Sequence, residues 1–312
     1  LRVGTFEYFA SRQLTNELKI IADYTINRHY SEANASKDTY LTFLELFAKK
    51  QASLIAKWMG VGFIHGVMNT DNTSISGETI DYGPCAFMDN YDPSTVFSSI
   101  DRHGRYAFGN QPQIAQWNLA SLAGCLLPLI DNNEDKAKDS VSKIIESFSG
   151  IVNSDISEVM CSKIGLNSNN EKSRESLKNL LALMKSSEAD YTLAFRYLGD
   201  YLNNENEPSF KELFTNKDEI EHWLLDWLEL INTEGNSKKS IIESMQTINP
   251  IYIPRNHLVE RAIKAGVNDG DYSVMLNLSL VLETPYKLQE VDQDYMNPPQ
   301  PSERVLQTFC GT

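Results

Sequence analysis

The sequence predicts a mainly α-helical body, interrupted once by a polar loop cluster that holds a small β-hairpin. Three observations predict it. Apolar residues recur at spacings of three and four over most of the chain, the pattern of helices buried on one side. The pattern stops between Val61 and Tyr106, where Asp, Asn, Gly and Pro crowd the text. It then resumes and continues through most of the remaining length.

Taken in order, Leu14, Leu18, Ile21 and Ile26 form a stripe over 12–30. Leu44, Phe47, Gln51, Leu54 and Trp58 form another over 38–59, with Lys49, Lys50 and Lys57 at its outer edges. Gly60 and Gly62 are expected to stop this second helix, because glycine takes the left-handed C-cap conformation without a Cβ penalty. Inside the interruption, Thr73–Ser76 and Glu78–Asp81 alternate on either side of Gly77 and read as two small strands joined by a tight turn. Ile114, Trp117, Leu119, Leu122, Leu126 and Leu129 predict a long buried helix from Gln111, ended or kinked near Pro128. Further helices are expected at 134–150, 155–165, 172–185, 188–203 and 217–233, then two short ones at 256–266 and 271–283. The stretch 297–312 contains Pro298, Pro299 and Pro301 and reads as extended. Trp58, Trp117, Trp223 and Trp227 lie on apolar stripes and are expected in the core.

Composition narrows the function classes. With 41% hydrophobic and 22% charged residues over 312 positions, the chain is an ordinary globular one and long enough to bury a sizeable core. Lys and Arg number 28 against 42 Asp and Glu, a net charge of -14, which argues against binding nucleic acid through general electrostatics. No uninterrupted apolar run long enough for a transmembrane helix is expected. Cys85, Cys125, Cys161 and Cys310 make no CxxC pair and no zinc spacing with the histidines, so reduced thiols in a cytosol-like compartment are expected. The chain starts at Leu1 without a signal peptide, and it reads as the C-terminal part of a longer protein.

The chemistry is expected in the loop cluster, since long loops inside compact domains usually carry function. A hairpin between Asn72 and Asp81 would bring an amide oxygen and a carboxylate together at its two mouths. That pair suits a hard cation with oxygen ligands, such as Mg²⁺. Asp71, beside them, either activates a hydroxyl nucleophile or completes the metal shell. The bland reading is that Asn72 and Asp81 are turn formers. The spacing favours chemistry: His65 to Asn72 is the His-to-Asn separation of the protein-kinase catalytic loop H-R-D-x-x-x-x-N, and Asp81-Tyr82-Gly83 stands where D-F-G would. Val67 occupies the usual base position, a departure that an ordinary kinase would not tolerate. His65 itself reads as structural, and so does Arg255-Asn256-His257, with Asn256 as a helix N-cap.

HGVMNTDN followed by TIDYGP closely resembles the selenoprotein O family, also called the SelO or YdiU family. LRVGTFEYFA, GNQPQIAQWNLASL, NPIYIPRNHLVERAI and the terminal FCGT extend the resemblance over nearly the whole chain. It implies a protein-kinase-like fold, of which this chain would be the C-lobe with extra C-terminal helices. The catalytic and activation-like loops would lie at 61–107, a helical remainder at 108–296 and an extended tail at 297–312, the N-lobe being absent. It implies transfer of AMP from ATP to Ser, Thr or Tyr hydroxyls of protein substrates, with Mg²⁺ or Mn²⁺, and neither nucleic acid nor membrane as partner. The roles implied are Asp71 as candidate catalytic base, Asn72 and Asp81 as metal ligands and Arg2 as a contact to the nucleotide phosphates. An ordinary phosphotransferase and an inactive pseudokinase scaffold are the alternatives. The family's settings imply bacterial cytoplasm, with mitochondria as the alternative. A family cysteine or selenocysteine near the end implies a redox-sensing thiol at Cys310, bridging to Cys85; an ordinary free thiol is the simpler reading.

Overall fold

Twelve α-helices and one two-stranded antiparallel sheet are found among the described residues of the computed structural model, 1–291 and 293–309. The first five helices are α1 (Val3–Ser11), α2 (Thr15–His29), α3 (Thr39–Val61), α4 (Gln111–Ile130) and α5 (Glu134–Lys163). Then come α6 (Glu171–Ser186), α7 (Tyr191–Asn203), the single turn α8 (Ser209–Glu212), α9 (Lys217–Thr233), α10 (Lys238–Ile248), α11 (Asn256–Lys264) and α12 (Ser273–Leu282). Strands β1 (Phe63–Ile64) and β2 (Ala86–Phe87) pair with Phe63 opposite Phe87 and Ile64 opposite Ala86.

Two cores organise these helices, and α5 belongs to both. Phe43, Phe47, Ile55, Leu119, Leu126 and Phe148 are fully or almost fully buried in the first, between α1 and the first half of α5. Met160 and Cys161, on the last turns of α5, belong to the second with α6, α7, α9 and α10. In that second core Trp223 and Trp227 stack with centroids 5.7 Å apart. Their indole N–H groups donate to the carbonyls of Ser176 and Ile164 at 2.9 and 2.8 Å, so the large rings are buried without an orphaned donor.

Several helices differ from expectation. The predicted break at 150–155 is absent, and α5 runs unbroken for 30 residues. Gly150, Asn153 and Ser154 are weak helix formers, but Val152 is buried in the first core and Ile151 packs on it, and packing outweighs propensity. Pro128 falls in the last turn of α4, which continues to Ile130. Helices α1 and α10 were not predicted as separate elements. Helix α10 is capped by the Ser237 hydroxyl on the Ser240 N–H, and it buries Ile241 and Met245 four residues apart. Residues 108–130 form a helical segment long and apolar enough by length and composition to cross a membrane, although Gln111, Gln113, Gln116 and Asn118 interrupt its apolar run. Here α4 packs on α1, α3 and α5 as a central helix of the first core.

The hairpin is the main correction. The two strands of the sheet are not 73–76 and 78–81 but β1 and β2, which lie 21 residues apart in the chain. The backbone of 73–75 pairs instead with the chain start: Val3 N–H donates to the Thr73 carbonyl and Ile75 N–H to the Leu1 carbonyl, both at 3.0 Å, with Arg2 opposite Ser74. The facing stretch is held by side chains, through Trp58 on Thr79 and His65 on Ile80. Alternation alone could not reveal which partner each segment takes. Trp117 is also misplaced by its stripe: it is 44% exposed, whereas the other three tryptophans are buried.

Arg255 fastens the C-terminal helices to the loop cluster. It is fully buried, and its guanidinium donates to Asp89 at 2.9 Å, to both Asp190 oxygens at 2.8 and 3.2 Å, and through Nε to the Met296 carbonyl at 3.0 Å. Asp190 also caps α7 on the Leu193 N–H. Asn256 is not the N-cap of α11 but lies inside it, and its amide brackets the Phe87 N–H and carbonyl at 3.0 and 2.7 Å. Arg255→Met is expected to destabilise the fold by roughly 3–5 kcal/mol in urea unfolding, because it leaves the buried Asp190 and the partly buried Asp89 without their cation. A loss below about 1 kcal/mol would mean that the pair is not a structural clamp.

Candidate functional site

The site is built on the end of α3. Gly62 takes φ 72° as the C-cap, and its carbonyl receives the Met88 N–H at 2.8 Å, extending the β1–β2 pairing. Strand β1 then delivers His65. Gly66 follows at φ 84°, and an added Cβ there would meet the Pro84 carbonyl at 2.7 Å. Glycine is therefore required for both conformation and space.

His65 is fully buried and bonded on every side. Its N–H donates to Gln111 Oε1 at 3.0 Å, and its ring Nε2 lies 2.8 Å from the Ile80 carbonyl. A carbonyl only accepts, so Nε2 carries the proton and Nδ1 is left to accept the Val67 N–H at 3.4 Å. Acceptance at Nδ1 requires the neutral ring, and burial holds its pKa below the ordinary 6.5. Trp58 packs against it with ring centroids 5.3 Å apart.

Asn72 closes the loop that starts at His65. Asn69 Oδ1 accepts the Asn72 N–H at 2.9 Å and shapes the short 3₁₀ turn Thr70–Asn72. Asn72 Nδ2 donates to the Val67 carbonyl at 3.0 Å. Because that carbonyl cannot donate, the amide nitrogen must face it, and Oδ1 is the atom left available to a ligand. Helix α4 braces the same loop, with Gln111 on the Phe63 carbonyl and Asn118 on the Met68 carbonyl, both at 3.0 Å.

The predicted residues are arranged as follows. Asp71 is exposed, and its carboxylate lies against the backbone of Gly4 so closely that a Cβ at Gly4 would collide with it. Arg2, also exposed, pairs through its backbone with Ser74, two residues from Asn72. The turn and the chain start therefore bring Arg2, Asp71 and Asn72 into one neighbourhood. Asp81 is exposed and adopts φ 57°, a left-handed conformation that costs a non-glycine residue roughly 1 kcal/mol. It follows Ile80, whose carbonyl holds His65, so Asn72 and Asp81 hang from one buried histidine rather than from the mouths of one hairpin.

The donor set sets limits on what the site can hold. No group of three or more His, Cys, Asp or Glu side chains is placed to hold a metal among the described residues. One carboxylate and one amide oxygen fit a cation such as Mg²⁺, which usually takes one or two protein carboxylates and fills its shell with phosphate and water oxygens. A separate cavity of about 970 Å³ lies behind Tyr82 and Gly83, walled by Trp58, Phe63, Val159 and Ile263. Among the described residues its charged lining is Lys57 and Glu260 alone, so it does not suit a triphosphate. Burial pushes the Cys85 thiol up to about 11, and those of Cys125 and Cys161 to about 12 and 11, so none is a ready thiolate. Thr308 Oγ1 donates to the Pro84 carbonyl at 2.6 Å, next to Cys85. Cys310, the proposed partner of that thiol, lies outside the described residues.

Sequence reasoning missed Gly4, Gln111 and Asn118 as site-forming residues. Gln111 and Asn118 stand inside the GNQPQIAQWNLASL text, whose polar residues at helical spacing on an apolar helix were the available signal.

A family model described as protein adenylyltransferase SelO matches residues 1–283. Proteins named protein nucleotidyltransferase YdiU align over the whole of this chain. One from Maridesulfovibrio salexigens is 51% identical, one from Rhizobium rhizogenes 49% and one from Bacillus mycoides 48%. The chain spans 63%, 62% and 63% of those relatives, respectively.

Two outcomes are expected. Gly4→Ala, in the full-length protein, should displace the Asp71 carboxylate and lower turnover about ten-fold or more while moving the melting temperature little; unchanged turnover would remove Asp71 from the site. His65 should make stability pH-dependent. The unfolded ring protonates near pH 6.5 and the folded ring only below that, so its contribution is complete above 6.5 and lost as pH falls toward the lower folded value. Urea midpoints between pH 7.5 and 5.5 should fall less steeply in His65→Gln than in the parent. His29 and His257, also lowered mainly by burial, and the buried Lys163, lowered to about 7, add slope of the same sign.

Proposed function

The chain belongs to the SelO family, and from that premise we propose that it carries the metal-and-acceptor face of a protein adenylyltransferase, arranged as the C-lobe of a protein-kinase-like fold. The reaction proposed is transfer of AMP from ATP to Ser, Thr or Tyr hydroxyls of proteins. The observation that carries the reading is the orientation of Asn72: its amide nitrogen is committed to the Val67 carbonyl, which leaves its oxygen, with Asp81, as a hard-donor pair. The family description and the name shared by the bacterial relatives support nucleotidyl transfer over phosphoryl transfer. A bacterial cytoplasmic setting is part of the proposal, and the organisms of those relatives support its bacterial part.

The chemistry is a displacement at the α-phosphorus. The substrate hydroxyl oxygen forms a bond to that phosphorus, the bond to the bridging oxygen breaks, and pyrophosphate leaves. Asp71, at the surface of the turn, takes the hydroxyl proton or orients the hydroxyl. Asn72 and Asp81 hold Mg²⁺ or Mn²⁺, which supplies neutralisation of the phosphate charge that builds as the bond breaks. Arg2 adds a planar set of donors for phosphate oxygens. An inactive scaffold is the second reading, favoured by Val67 at the usual base position; Asp71 on the same short loop is the reason it ranks second.

In the full-length protein, Asp81→Ala should lower label transfer from α-labelled ATP by about a hundred-fold or more, with little change in melting temperature because the side chain is exposed. Label arriving from γ-labelled ATP instead would make the protein a phosphotransferase. Metal-dependent ATP binding with no transfer from either position would make it a scaffold.

A further inference from the structure

The segment between β2 and α4 presents a basic spot in an acidic protein. Between β2 and α4 stand Arg102, His103 and Arg105 with three acidic residues, Asp89, Asp92 and Asp101, of which Asp89 pairs with Arg255 and Asp92 with Lys185, in a chain of net charge -14. Arg102, His103 and Arg105 are all exposed. The Asp101 carboxylate is occupied by backbone, accepting the Arg105 and Tyr106 N–H groups at 2.9 and 2.7 Å. Among the described residues the arginine ion pairs involve Arg196, Arg255 and Arg261, and neither Arg102 nor Arg105 has one.

The spot is built, not loose. Gly104 turns the chain at φ 68°, and its carbonyl accepts the Ala107 N–H at 3.2 Å and the Asn110 side chain at 2.8 Å. Thr308 pairs with the base of the loop, exchanging bonds with Phe97 and Ser99. The Arg105 guanidinium lies over the half-exposed Trp117 ring, 4.8 Å from its centroid. Arg105, Asn110, Gln113, Ile114 and Trp117 line an open groove of about 280 Å³. Trp117 precedes Asn118, whose side chain braces Met68 of the loop that carries Asp71 and Asn72.

An exposed tryptophan with an arginine packed on its face recognises a carboxylate with an aliphatic stem. The ring orients the guanidinium and covers the stem, and the free N–H edge takes the carboxylate oxygens in parallel. Elsewhere the net negative charge of the chain repels an acidic partner, so one positive spot also sets the partner's register. We propose that Arg102, Arg105 and Trp117 form a docking platform for an acidic segment of the protein substrate. This rests on the adenylyltransferase reading for its use, though not for its chemistry of recognition.

The test uses the full-length protein with Mg²⁺ and α-labelled ATP, and pairs of hydroxyl peptides that differ only in Glu or Lys flanks. The parent should show a KM about ten-fold lower for the Glu peptide, and the double variant Arg102→Glu/Arg105→Glu should reverse that preference with kcat and the KM for ATP unchanged. Trp117→Ala should raise the KM for the Glu peptide without moving the melting temperature. Equal KM values for both peptides in the parent would overturn the proposal, and so would a double variant that changes the KM for ATP instead, which would assign the arginines to the nucleotide. Should the parent transfer nothing, fluorescence anisotropy of a labelled Glu peptide separates the two ideas. Binding by the parent and not by the double variant upholds the platform while the adenylyltransferase reading fails; no binding by the parent overturns the platform.

Discussion

A neutral imidazole buried beneath the loops is the constraint on which the site depends. His65 donates from one ring nitrogen to the segment that ends in Asp81 and accepts on the other from the loop that ends in Asn72. The two loops have no regular ladder between them, so their separation is fixed by the width of one aromatic ring and by the helices that enclose it. Trp58 from α3 packs on the ring and Gln111 from α4 accepts the His65 backbone N–H. A buried group satisfied at every polar atom is costly to disturb, because each broken bond leaves an orphan in a low-dielectric interior.

The rest of the fold supports that arrangement. Helix α5 joins two cores, so the helices that present the loop cluster and those that back it form one packed body. Arg255 and Asn256 reach from the C-terminal helices to Asp89 and Phe87 on either side of Met88. The exposed groups, Asp71, Asp81 and Arg2, contribute little to these networks. The chain thus separates residues that hold geometry from residues left free for a ligand, and the left-handed backbone at Asp81 is a local cost borne by the packing around it.

Much of this was legible in the sequence. Helix α9 matches its predicted limits and α3 lies within two residues of them, because their stripes are long and their ends carry an Asn cap or a glycine stop. The interruption at 61–106, and Asp71, Asn72 and Asp81 within it, stood out by composition and spacing. What failed was pairing. Residues 73–81 alternate like a hairpin, but their backbone pairs with Leu1 and Val3 and with the His65 ring, and Trp58 holds the Thr79 hydroxyl, distant positions that a local pattern does not encode. Trp117 failed for a related reason: it sits on the apolar spacing of α4, yet that helix presents it to solvent beside Arg105. The 150–155 segment looked like a break because local propensity is weak there, while burial of Val152 in the first core decides its conformation.

The central claim is that Asn72 and Asp81 act as one unit on a divalent ion with a nucleotide. The most direct measurement is Mn²⁺ binding followed by electron paramagnetic resonance in the presence of a non-hydrolysable ATP analogue, for the full-length parent, Asn72→Ala, Asp81→Ala and the double variant. The account predicts that each single change weakens Mn²⁺ binding about ten-fold or more and that the double change costs little beyond the larger single one, since either loss breaks the shared site. Single effects that simply add, or that fall within about two-fold of the parent, would contradict it.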